Sequence, residues 1–310
     1  MIPPQTKRFL ALVALLCLSS SHSLAQQNTD SLVFNVSVTD EKGRTYRGLK
    51  PENFSAAVDK APRKIISLIA DNQPLSAGIL VDVSRSIGPS GTPEAEKFWR
   101  KLGDGAVGFL QASNPENDYF ALMFDAKVGL AERWTGPDIS VLSKLSPPGN
   151  HLGTAFFDAL YLGIQNVMSG RHSRRVILMI TDGQDNNSKR TFNEVVSLLK
   201  RSDVVVYAIG LITEKDAGSA LGQEYAGVLD ELTGLTGGRV WFMSPGSKLE
   251  AFKEAFEWIA ADLQNQYQLS IEKLDLPGPE KFRKLRLKLD LPKEKGRPRL
   301  YVRCRDGYYQ

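Results

Sequence analysis

One aspartate and two serines stand at alternate positions directly behind an apolar run of the chain. Asp82, Ser84 and Ser86 follow residues 77–81, which have the composition of a buried strand. A carboxylate and two hydroxyls with this spacing can converge just past the end of a strand. Oxygen ligands of this hard type suit a divalent cation such as magnesium. The segment therefore predicts a magnesium site that captures an acidic group from a partner, rather than a catalytic centre.

Two residues far along the chain could complete this set of oxygen ligands. Thr154 opens an amphipathic stretch, residues 154–167, where its hydroxyl is also suited to cap a helix. Asp182 closes an apolar run and precedes Gly183, which permits a sharp turn. Magnesium keeps several of its water ligands, so few protein ligands are needed. Taken alone, the aspartate and serines around position 84 fit a metal-free capping turn equally well.

The elements that would position these residues alternate between apolar strand-like runs and amphipathic helical stretches. The apolar runs cover residues 77–81, 119–124, 175–180, 204–209 and 239–242. This alternation predicts an α/β fold, a doubly wound and mainly parallel sheet with helices on both faces. In such sheets ligands bind beyond the carboxyl ends of the strands. Asp82, Asp125 and Asp182 each follow one of the runs, and Asp125 fits either a supporting role at the site or a plain turn.

The two flanks of the chain have a different pattern. Apolar residues alternate with polar ones from Phe34 to Val38 and again from Leu285 to Leu289, the period of half-exposed strands. Neither flank has enough strands to be stable alone. We therefore expect a 73–264 α/β domain and one small β-sandwich-like satellite, in which residues 26–72 pack with residues 265–310. The basic residues among positions 281–288 are then interpreted as the solvated face of a strand.

The first 25 residues have the features of a secretory signal peptide. Lys7 and Arg8 precede an apolar stretch that is too short to span a bilayer, and small residues follow it. Its removal would lower the net charge from +4 to +2, which does not favour a nucleic-acid partner. We expect export to the periplasm or the exterior, without a transmembrane segment in the mature chain. Cys304 shares an apolar face with Leu300 and Val302, which predicts an inert core thiol.

Three motifs resemble the metal-ion-dependent adhesion site of von Willebrand factor type A domains. They are Asp82-x-Ser84-x-Ser86, Gly153-Thr154 and the segment from Ile180 to Gly183. The resemblance covers residues 77–264, and the flanks resemble those of bacterial secreted proteins of the von Willebrand-A-related type. It implies that the hydroxyls of Ser84, Ser86 and Thr154 contact the metal, while Asp82 and Asp182 act mainly through water. It also implies a protein partner that presents an Asp or Glu side chain.

The chain departs from the family pattern at three positions. Arg85 and Leu152 stand where glycine is common, and Ile87 replaces a methionine. A cation at Arg85 would either weaken metal binding or help to hold an acidic ligand. The side chain at Leu152 would stiffen its loop.

These observations favour a secreted, non-enzymatic, adhesion-type module that binds a protein through magnesium, with manganese or calcium as competitors. One alternative is a structural scaffold with a vestigial metal site that binds through its β flanks. A remote alternative is a metal-dependent phosphoester hydrolase, which needs a nucleophilic aspartate or a second metal. By the family resemblance, a shift of the last helix, residues 248–263, could couple the metal to the C-terminal strands. The partner and the oligomeric state stay open.

Overall fold

The computed structural model of the 310-residue chain describes residues 31–87, 92–137, 152–273, 279–292 and 294–310. The predicted signal peptide lies outside the described residues. The strands are β1 (Ser31–Asp40), β2 (Phe54–Val58), β3 (Ala61–Arg63), β4 (Ile65–Asp71), β5 (Leu75–Asp82), β6 (Asp118–Phe124), β7 (Val128–Thr135), β8 (Arg174–Thr181), β9 (Val204–Leu211), β10 (Val240–Met243), β11 (Gln266–Glu272), β12 (Phe282–Leu289), β13 (Leu300–Arg303) and β14 (Gly307–Tyr309). The α-helices are α1 (Pro93–Ala112), α2 (Phe156–Val167), α3 (Phe192–Arg201), α4 (Glu214–Ala217), α5 (Ala220–Thr236) and α6 (Leu249–Gln264).

The central sheet has the strand order β10-β9-β8-β5-β6-β7 and is parallel except for β7. All eight residues of β5 are buried, because helices cover both faces of the sheet. Side chains of α1 and α6 pack on one face, and side chains of α2, α3 and α5 pack on the other. The predicted doubly wound α/β fold is confirmed. Each of the five apolar runs overlaps one strand of this sheet.

The central sheet has a switch point between β5 and β8. These two strands are direct neighbours, yet the helix after β5 packs on one face and the helix after β8 on the other. The two connecting segments therefore diverge at the carboxyl ends of the strands and leave a crevice between them. Asp82 and Asp182 stand at this crevice, since one ends β5 and the other directly follows β8.

The flanks form two further sheets, which are antiparallel. Their strand orders are β13-β1-β11-β4 and β14-β12-β2-β3, so each sheet combines strands from both ends of the chain, which alternate in the first sheet and form two adjacent pairs in the second. Their inward side chains share one apolar core, to which Val36, Val58, Leu269 and Leu285 belong. The β-sandwich-like satellite from the two flanks is thus observed. None of the described helices is both long and apolar enough to cross a membrane.

Candidate metal centre

Asp82 forms the buried base of the crevice between β5 and β8. Its side chain is inaccessible to solvent. Oδ1 accepts a hydrogen bond from the backbone N–H of Ser84 at 2.9 Å, and Oδ2 accepts one from the Thr181 hydroxyl at 2.7 Å. The hydroxyl of Thr181 accepts in turn from the N–H of Gly183 at 3.0 Å. Both carboxylate oxygens are therefore fixed before any ligand arrives.

The two serines behind Asp82 bring their hydroxyls together. A single 3-10 turn, Arg85–Ile87, follows Ser84 and carries Ser86 back toward it. The two Oγ atoms lie 2.8 Å apart. Ser84 is almost fully buried, whereas Ser86 is exposed. The spacing of the motif thus produces the convergence that the sequence predicts.

Thr154 is held by the loop that follows β8. Its N–H donates to Asn186 Oδ1 at 2.8 Å, and its carbonyl oxygen accepts from the N–H groups of Asn186 and Asn187, both at 3.0 Å. The expected cap role of Thr154 is wrong, because α2 begins at Phe156 with Ala155 in the N-cap position and without a side-chain cap. Since the Thr154 hydroxyl does not cap α2, it can serve a ligand in the crevice.

Asp182 lies at the wall of the crevice and is half-buried. Its Oδ1 accepts from the N–H of Gln184 at 2.9 Å across the turn made by Gly183, whose φ is +82°. Burial raises the pKa of Asp182, and the nearby carboxylate of Asp216 adds to this effect. Burial also raises the pKa of Asp82, and Asp182 contributes there. Among the described residues, no basic side chain forms an ion pair with either carboxylate.

The three residues with predicted hydroxyl ligands, Ser84, Ser86 and Thr154, line one cleft of about 360 Å³. It is lined by Ser84, Arg85, Ser86, Leu152, Gly153, Thr154, Gln184 and Asn186. The structure therefore brings three of the five predicted ligands onto one surface. The other two, Asp82 and Asp182, stand at the end of β5 and directly after β8, next to the segments that line the cleft. Within the described ranges no three His, Cys, Asp or Glu side chains lie close enough together to hold a metal ion without other ligands. The donor set consists of hydroxyls backed by carboxylates, and such hard oxygens fit a magnesium-type ion.

The rim of the cleft carries two of the three departures from the family pattern. Arg85 is exposed and forms no ion pair with another described residue. Leu152 is 74% exposed although it is apolar. A cation and an apolar side chain therefore flank the hydroxyls at the rim of the cleft.

The sequence does not reveal the hydrogen bonds by which Thr181 and Asn186 support the site, and it leaves Asp125 open between a supporting role and a plain turn. Thr181 holds Asp82, and its position next to Asp82 follows from the pairing of Val81 with Ile180 in the sheet. Asn186 holds Thr154, and no spacing rule points to that contact. Asp125 accepts from the N–H of Lys127 at 2.9 Å, which is the plain turn role.

The fold and the cleft together define a class of protein, a doubly wound α/β module with an oxygen-lined crevice at the carboxyl ends of its parallel strands. The family model of the von Willebrand factor type A domain matches residues 78–251, and the chain belongs to this family. No curated protein matches the chain in sequence.

Several solved structures are similar in fold. Proximal thread matrix protein 1 from the mussel byssus has a TM-score of 0.49 at 18% identity, over 66% of this chain and 50% of that protein. This chain thus spans half the length of the mussel protein. That protein has also been solved with zinc in its MIDAS motif, the metal-ion-dependent adhesion site. A von Willebrand factor type A protein from Catenulispora acidiphila has a TM-score of 0.49 at 12% identity, over 86% of this chain and 71% of that protein. The vWF domain of the type V pili tip protein Mfa5 from Porphyromonas gingivalis has a TM-score of 0.47 at 12% identity, over 61% of this chain and 96% of that domain.

Proposed function

We propose that this protein is an exported, non-enzymatic binding module that grips an acidic residue of a partner protein through a divalent metal ion. The metal is held by Asp82, Ser84, Ser86, Thr154 and Asp182. The observation that carries this function is the shared cleft, which is lined by Ser84, Ser86 and Thr154 and lies beside two carboxylates that form no ion pair with a described basic side chain. Membership in the von Willebrand factor type A family supports a role in protein binding.

Each residue has a separate task in this site. The hydroxyls of Ser84, Ser86 and Thr154 are neutral ligands, so they leave most of the cation's charge uncompensated. Asp82 and Asp182 supply negative charge mainly through water. A bound divalent cation would provide the Lewis acidity that attracts a partner's carboxylate into an open coordination position.

The rim residues extend the contact with the partner. Arg85 adds a second positive charge beside the metal, which favours a ligand with more than one carboxylate. Leu152 offers an exposed apolar contact next to it. Both residues bind the partner rather than the metal, so Arg85→Gly should weaken partner binding and leave magnesium binding unchanged. Weaker magnesium binding in the wild type than in Arg85→Gly would assign Arg85 the opposite role.

The location and the organisation of the chain complete the proposal. Residues 1–25 direct export, which places the mature chain in the periplasm or outside the cell. Sequencing the amino terminus of the exported protein tests this, since it should begin near Gln26. The α/β domain then covers residues 73–264, and the segments 26–72 and 265–310 form one satellite domain from both ends.

The first experiment is magnesium titration by calorimetry on the wild type and on Asp182→Ala. Saturable binding in the wild type that is lost in Asp182→Ala establishes the site. Asp104→Ala is the matched control, because Asp104 is an exposed aspartate on α1, outside the cleft. Manganese, calcium and zinc titrations then identify the preferred ion. Identical behaviour of wild type and Asp182→Ala at millimolar metal contradicts the proposal.

Partner capture tests the second half of the function. A partner that is retained with magnesium should be released by EDTA and should fail to bind Asp182→Ala. Capture that is unchanged in Asp182→Ala favours the scaffold alternative, in which the metal site is vestigial and the β flanks make the contact.

A further inference from the structure

A second cleft lies between the sandwich and the α/β unit, far from the candidate metal centre. It has a volume of about 1010 Å³. One wall is the outward face of β12 and β2, and the other is formed by the last turns of α3 and α5. Helix α3 ends where the chain turns into β9, so this cleft opens at the amino ends of the parallel strands. The crevice that holds Asp82 opens at their carboxyl ends.

The lining of this cleft has an excess of positive charge. Its five basic residues are Lys60, Lys200, Lys284, Arg286 and Lys288, against the three acidic residues Asp59, Glu231 and Asp306. None of the five forms an ion pair with another described residue. Asp59 is already engaged, because it pairs with Arg283 at 3.2 Å and accepts from the N–H of Lys284 at 3.0 Å. The lining therefore keeps an excess of two positive charges, although Asp306 interacts electrostatically with Lys200 and Lys284.

Three of these cations form a regular row. Lys284, Arg286 and Lys288 project outward from β12 and are exposed, while Leu285 between them is buried. Alternate residues of an antiparallel strand recur about every 6.8 Å along its axis. These residues were interpreted from the sequence as a solvated strand face. Their exposure agrees with that interpretation, and the same face lines the cleft opposite Val196 and Leu235 of two helices.

The hairpin at the cleft entrance contains backbone strain that its sequence could avoid. Asp59 has a φ of +48° and Lys60 a φ of +73°, in the two-residue turn that joins β2 to β3. Such turns are normally occupied by Asn-Gly or Asp-Gly, because side chains disfavour positive φ. Lys60 therefore occupies a position at which glycine would adopt the same backbone conformation without strain. Strain of this kind is characteristic of positions that a function requires.

We propose that this cleft binds an extended acidic segment of a partner protein, with Asp or Glu at alternate positions. The alternate side chains of an extended peptide recur at the same interval as the cations of β12, so each carboxylate can face one cation. The intervening side chains then point to the opposite wall, where Val196 and Leu235 are apolar. Glu231 and Asp306 lie in the same lining and would repel a dense polyanion.

This binding is independent of the metal centre, and the experiment separates the two. The probe is a fluorescein-labelled heptapeptide that alternates glutamate with valine or serine, titrated with the full chain in EDTA, which keeps the metal centre from binding the glutamates, at two salt concentrations. We expect saturable anisotropy that weakens with salt. Binding should fall at least about tenfold in the double variant Arg286→Ala/Lys288→Ala. Asp182→Ala and Lys253→Ala, an exposed lysine of α6 outside the cleft, should bind like the wild type.

A second variant uses the strained turn. Lys60→Gly removes one cation and relaxes the backbone at the same time, so it should raise the melting temperature and lower the affinity for the probe. Three results overturn the proposal: no binding of the probe by the wild type, equal binding by the double variant, or equally tight binding of polyphosphate or of a peptide with the same glutamates in one block. The last result would make the cleft a general polyanion site.

Discussion

Gly183 shows how a single residue type controls the geometry of the candidate metal centre. At its φ of +82°, a Cβ atom would lie 2.9 Å from the carbonyl oxygen of Tyr225 and 3.1 Å from Cγ of Leu229. We therefore expect Gly183→Ala to lower the free energy of unfolding by about 1–3 kcal/mol. It should also weaken magnesium binding, because the turn positions the Gln184 N–H that holds Asp182.

A glycine of the same chain supplies the control for this substitution. Gly103 lies inside α1, and a Cβ there would meet no atom within 4 Å. Gly103→Ala should raise the stability by about 0.5–1 kcal/mol, since glycine is unfavourable inside a helix. Urea denaturation of both variants measures the difference. Equal stability of the two variants would contradict the role given to the Gly183 turn.

The thiol of Cys304 gives a prediction that depends on pH. Burial raises its pKa to about 12, with a smaller contribution from Asp306. The thiol of the folded protein is then half ionised only near pH 12, whereas an ordinary thiol is half ionised near pH 9. Alkylation by iodoacetamide at pH 8 should be on the order of 10³-fold slower in the native state than in urea. The difference between wild type and Cys304→Ser isolates this thiol, and rapid native alkylation would show that it is reactive.

At the scale of elements, a buried ion pair connects the last helix to the satellite. Asp262 of α6 is 2% exposed, and its Oδ2 accepts from Arg303 Nη2 of β13 and from the Tyr207 hydroxyl of β9, both at 2.7 Å. Removing only the cation leaves a buried carboxylate without its partner. We expect Arg303→Met to cost about 3–5 kcal/mol of stability in urea denaturation.

The matched double variant distinguishes the ion pair from simple packing. Asp262→Leu/Arg303→Met replaces both charges by apolar groups, so most of the lost stability should return. If the double variant is less stable than Arg303→Met alone, packing or the Tyr207 hydrogen bond dominates at this position. The pair also ties α6 to β13, so any displacement of α6 acts on the sandwich. Whether metal binding causes such a displacement remains a hypothesis.

The elements that the sequence predicts well are those whose signal is local. Strand β5 is buried on both faces and therefore has a continuous apolar run, and Asp82 at its end is found by the rule for ligand sites in open sheets. Strand β7 lies at the sheet edge with one neighbour and has no such run. The start of α2 was misplaced by two residues because Thr154 is bound by Asn186, a contact 32 positions away. The cleft beside β12 depends on how two units pack, which no local pattern encodes.

At the scale of the whole molecule, the satellite is closed by strands from both ends of the chain, and its stability must therefore be shared. Strand β1 lies between β13 and β11, β4 pairs with β11, and β2 lies between β12 and β3. A stop codon after Asn265 would remove β11 to β14. The remaining flank strands would lose every neighbour except the contact of β2 with β3, and a single hairpin is at best marginally stable in water.

We therefore expect this truncation to abolish amide exchange protection throughout residues 31–71. The α/β unit should respond differently, because each strand of its central sheet and all of its helices lie before residue 265. Protection should persist in β5, β8 and β9, although the loss of Arg303 exposes the carboxylate of Asp262 and lowers their stability. Hydrogen exchange measured by mass spectrometry resolves the two regions in one experiment. Protection of β1 that survives the truncation would show that the N-terminal flank folds without its C-terminal partner strands.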